Sequence, residues 1–97
     1  MAYDPGAIDA TLAAAVGDEP ALIAELREAF LDGVDRCVDA LKAAESTDAW
    51  QIAALRLKGL SASFGAVRLM ALASEAADST VLDAALLRRL TRAAARL

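Results

Sequence analysis

The sequence predicts an all-α fold: an up-down four-helix bundle with an additional short N-terminal helix, as one domain over residues 1–97. Three observations carry this. Alanine, the best helix former, makes up about a quarter of the chain, beside two prolines and five glycines that break few helices. Apolar residues recur at steps of three and four, the spacing of one helix face. Short turn segments separate the periodic stretches, and short connections favour antiparallel neighbours.

The first helix is expected from about Pro5 to Val16. Asp4-Pro5 is a start signal, an N-cap side chain before a proline that gives up no needed donor. Ile8, Leu12 and Val16 follow at spacings of four, and Gly17 ends the element. It is expected to pack across the bundle as a lid.

Asp18-Glu19-Pro20 repeats the start signal, and a long helix follows to about Ala44. Its apolar face is Leu22, Ile23, Leu26, Phe30, Val34, Cys37, Val38 and Leu41. Glu25, Glu28, Asp32, Asp35, Arg36 and Asp39 form the other face, spaced as surface charges rather than as an acid–base pair. Gly33 is read as a close-packing point. Cys37 is expected buried and inert, since no histidine exists to activate it.

Glu45-Ser46-Thr47-Asp48 forms the next turn, with Thr47 or Asp48 as the expected cap. The following helix places Trp50, Ala54, Leu57, Ser61 and Phe64 on one face and ends at Gly65. Gly59 lies in its interior, where glycine costs about 1 kcal/mol relative to alanine. Either a close helix crossing or the approach of another molecule accounts for it.

A shorter helix is expected over Val67 to Asp78, with Leu69, Leu72, Ala73 and Ala76 inward. Thr80 and Asp83 have the spacing of a capping box for the last helix. That helix is expected to bury Leu82, Leu86, Leu90, Ala93 and Leu97. Arg88, Arg89, Arg92 and Arg96 cluster toward its end, where cations offset the helix dipole.

Ala54-Leu55-Arg56-Leu57-Lys58-Gly59, followed by Phe64-Gly65-Ala66, resembles the signature helix of histidine-containing phosphotransfer (HPt) domains. That family reads Ala-His-x-Leu-Lys-Gly-Ser, then a short run to an apolar residue and Gly-Ala. Ile8-Asp9 through Val16-Gly17-Asp18-Glu19-Pro20-Ala21-Leu22 is similar to its opening helix and turn. Leu55 occupies the position of the phosphorylated histidine, Leu60 that of the following serine, and the chain contains no histidine. A leucine side chain has no lone pair to accept a phosphoryl group. The resemblance therefore implies a phosphorelay scaffold without its chemical group. It also implies that Lys58 and Gly59 stand where the family screens phosphate charge and admits a receiver domain.

Ile52, Leu55, Gly59 and Ala62 form a second apolar stripe, opposite the core face of the same helix. With Arg56 and Lys58 it is the candidate partner-binding surface. The competing reading is that those two long side chains cover it. The expected partner is a response-regulator receiver domain or a sensor kinase, with a homodimer as a further possibility. The alternative function is a structural or dimerisation module that kept the bundle and lost its signalling contacts.

Other classes find little support. No nucleophile–base pair or phosphate loop points to an enzyme, and no cofactor is expected. One cysteine and no histidine argue against a metal site and suit a reducing cytoplasm. No apolar run reaches the roughly 18 residues that span a membrane, and no secretory signal is seen. The net charge of −4 divides into an acidic first half and a basic second half, read as acidic and basic helices lying side by side. The basic half has only Phe64 as an aromatic, so no nucleic-acid partner is expected.

Overall fold

The computed structural model describes residues 5–17 and 19–97, without the side chains of residues 5–7 and 9. The expected cap at Asp4, and Asp18 of the second start signal, lie outside the described residues. Five helices follow in order: α1 (Pro5–Val16), α2 (Pro20–Ala43), α3 (Thr47–Ser63), α4 (Val67–Asp78) and α5 (Ala84–Ala95). No strand occurs among the described residues.

The helices form a bundle around one apolar core. α2 packs against α1, α3 and α5, and α4 packs between α3 and α5. Acidic α2 and basic α5 are thus neighbours. α1 does not span the bundle as the expected lid; among the described residues it packs against α2. Ile8 and Leu12, four apart, carry its one apolar stripe into the core and are buried, while Val16 is half-buried.

α2 contributes Phe30, Val34, Val38 and Leu41 to the core, at steps of four, four and three. Phe30 stacks on Phe64, with ring centroids 4.7 Å apart. Trp50, in the first turn of α3, donates its indole N–H to the Ala76 carbonyl in the last turn of α4 at 2.8 Å. That bond satisfies a buried donor that would otherwise cost about 1–3 kcal/mol. Gln51 donates to the Ser79 carbonyl at 3.2 Å, one step along the same seam. At the other end of the bundle, Arg27 of α2 donates to the Leu97 carbonyl at 3.2 Å.

α3 ends as glycine chemistry requires. Gly65 has φ +73°. The amides of Gly65 and Ala66 return to the carbonyls of Ala62 and Ser61, a Schellman closure. This turn reverses the chain into α4 within three residues, Phe64 to Ala66.

Two helix starts differ from expectation. Ser46, rather than Thr47 or Asp48, caps α3: its hydroxyl accepts from the Ala49 amide at 3.1 Å. The helix already includes Thr47 and Asp48, so only Ser46 has the extended backbone a cap needs. No capping box forms at Thr80. Asp83 itself caps α5, accepting from the Leu86 amide at 3.0 Å. Leu82 consequently lies in the connection before the helix and is 45% exposed, not in the core. Ala93 and Leu97 pack partly buried against the core that Leu86 and Leu90 enter fully.

Candidate interaction face

α3 divides into two faces because its sequence carries two stripes. Trp50, Ala53, Ala54, Leu57 and Ser61 are buried. At about 100° per residue, these side chains centre on one direction and Gly59 points the opposite way. Ile52, Leu55, Gly59 and Ala62 run along that opposite side, and all four are exposed. Arg56 and Lys58, also exposed, flank the stripe on its two edges. All six residues singled out in the sequence therefore share one surface.

Two exposures decide whether the cationic side chains cover this stripe. Ile52 is 52% exposed and Leu55 56%. Arg56 and Lys58 border the stripe without shielding it. Ile52 and Arg56 also line a shallow groove with Ala40, Ala44 and Ala49, where the end of α2 meets the start of α3.

The two interior glycines separate sharply. A Cβ on Gly33 would stand 2.9 Å from Leu60 Cδ2, so Gly33 is a close-packing point for the Leu60 side chain of α3. A Cβ on Gly59 would meet nothing within 4 Å. No helix crossing accounts for Gly59. Leu60 packs against the core and over Gly33, on the side of α3 that meets α2.

Chemistry at this face is limited by its side chains. Cys37 is half-buried and packs against the core rather than lying wholly inside it. Burial pushes its thiol above the ordinary value, against an opposing pull from Arg56. A raised thiol holds less thiolate at neutral pH, the reverse of an activated nucleophile. Among the described residues no three histidine, cysteine or carboxylate side chains gather as metal ligands. No helix among them is long and apolar enough to cross a membrane.

Sequence reasoning passed over two exposed residues. Val67 at the start of α4 and Val81 before α5 are 65% and 61% exposed. Their periodicity gave no signal, because both lie where a helix begins or has not yet begun.

Comparison with known proteins yields no match: no family model, no characterised protein and no solved structure is similar to this chain at a significant level.

Proposed function

We propose that this chain is a phosphotransfer-like docking module of a two-component phosphorelay. In this reading it binds a receiver domain or a sensor kinase through the α3 face and carries no phosphoryl group itself. The observation that carries the proposal is the uncovered Ile52–Leu55–Gly59–Ala62 stripe with open space over Gly59, at the positions where the resemblance places receiver docking. A contiguous exposed apolar stripe favours a partner. Arg56 and Lys58 at its edges favour one with an acidic surface. With no histidine in the chain, a phosphohistidine has nowhere to form.

The proposal includes an up-down arrangement of α2 to α5, with α1 as the extra helix. The bonds Trp50–Ala76 and Arg27–Leu97 and the close approach of Gly33 to Leu60 support it, because each joins positions that antiparallel neighbours would bring level.

A second reading rests on the same stripe. Its small residues, Gly59 and Ala62, also suit close pairing with a second copy of the chain, which would make this a dimerisation module. Calorimetric titration against receiver domains and sedimentation of the protein alone separate the two. Gly59→Glu would place a charge in the apolar contact and abolish whichever association exists, while circular dichroism reports an intact fold. Association unchanged by Gly59→Glu in both measurements removes this face from consideration.

A further inference from the structure

A second surface, at the end of the bundle where α5 finishes, is built from arginine. Arg68 of α4, Arg89 and Arg92 of α5, and Arg96, which caps the end of α5, line one cavity of about 150 Å³, with Leu69, Ala93 and Leu97 as its apolar wall. Positions 89, 92 and 96 are three and four apart, so α5 directs them to one side. Arg88 falls off that line and lines a different groove beside Lys42. None of the stripe residues of α3 takes part.

The charge of this cavity is unbalanced. Glu75 approaches Arg89 at 3.6 Å, with both side chains about half exposed. Among the described residues, Arg68, Arg92 and Arg96 have no ion-pair partner. The α5 dipole accounts for cations in the last turn of that helix. It does not account for Arg68, the second residue of α4, whose positive helix end disfavours a cation. The α4–α5 packing thus brings a misplaced arginine against three others.

We propose that this cavity is a binding site for a phosphoryl group. Guanidinium groups present paired N–H donors that match phosphate oxygens, and several acting together compensate its charge. The volume falls below the roughly 300–1,000 Å³ of sites that enclose a whole organic ligand. The cavity therefore takes the phosphate head, either as the free ion or as the end of a small monoester whose remainder lies outside. This site stands independently of the α3 docking face.

Isothermal titration of the full chain with inorganic phosphate and with glycerol phosphate, at constant ionic strength in chloride, tests it. Saturable single-site binding is expected. Arg68→Gln and Arg92→Gln should each weaken it about tenfold, the scale of losing one charge-assisted contact. Arg36→Gln, on α2 and paired with Asp32, should leave it unchanged. Equal affinity for the two probes assigns the site to free phosphate, and tighter monoester binding assigns it to a phosphorylated solute. Circular dichroism confirms that the exposed-residue variants fold. Absence of saturable binding, or binding that survives both Arg68→Gln and Arg92→Gln, overturns the proposal.

Discussion

Leu60 occupies the space that a side chain on Gly33 would need: a Cβ there would lie 2.9 Å from Leu60 Cδ2. The tip of the Leu60 side chain on α3 thus packs over the position where Gly33 of α2 carries none. Gly59, in the interior of the same α3 that carries Leu60, has no such neighbour.

The glycines should therefore respond oppositely to alanine. Gly59→Ala removes the interior-glycine cost with nothing in the way and should stabilise by about 0.5–1 kcal/mol. Gly33→Ala gains the same propensity but displaces the tip of Leu60, so it should give no net gain. Urea denaturation of both variants checks this. A larger gain from Gly33→Ala than from Gly59→Ala would show that Leu60 moves aside freely.

Core and surface of α3 should separate as cleanly. Leu57 is wholly buried, and Leu57→Ala should cost about 2–5 kcal/mol through the cavity it leaves. Leu55 is 56% exposed, and Leu55→Ala should change stability by less than about 1 kcal/mol. Similar losses for both in chemical denaturation would place Leu55 in an unforeseen contact.

Ser61 offers a stabilising change. Its side chain is fully buried and its hydroxyl has no hydrogen-bond partner. An unsatisfied buried hydroxyl costs about 1–3 kcal/mol, so Ser61→Ala should stabilise by about 1 kcal/mol. A fall in melting temperature for Ser61→Ala would mean that the hydroxyl is satisfied in solution.

Leu55→His tests whether only the accepting group is missing from the proposed docking face. Lys58 and Gly59 stand three and four residues on, beside the new imidazole. If the face docks a receiver, labelled phosphate should pass from a phosphorylated receiver to Leu55→His and not to the wild-type chain. Transfer is expected to be slow. Leu60 packs toward Gly33 and, being apolar, offers the imidazole no hydrogen bond to orient it. A folded variant that accepts no phosphate from any receiver that binds it would favour the dimerisation reading.

Periodicity and turn chemistry determined the helices, because both are local. The expected range of α1 coincides with the observed one, the expected end of α2 lies one residue beyond it, and Gly65 ends α3 in the left-handed conformation. The two stripes of α3 were legible for the same reason, since the helical repeat alone places Leu57 and Leu55 on different sides. Helix starts were less legible. Ser46, Thr47 and Asp48 all carry capping side chains, and so do Thr80 and Asp83; the residue that caps is the one whose backbone stays extended. That choice carried Leu82 out of the core. Tertiary structure alone decided what each side chain meets. Gly33 and Gly59 are equivalent as interior glycines in sequence, yet one faces Leu60 and the other open space. Arg68 lies far along the chain from Arg92 and Arg96, and no repeat connects them. Only the packing of α4 against α5 joins them in one cavity, because charge convergence between helices depends on the positions of both axes, which the repeat of neither helix encodes.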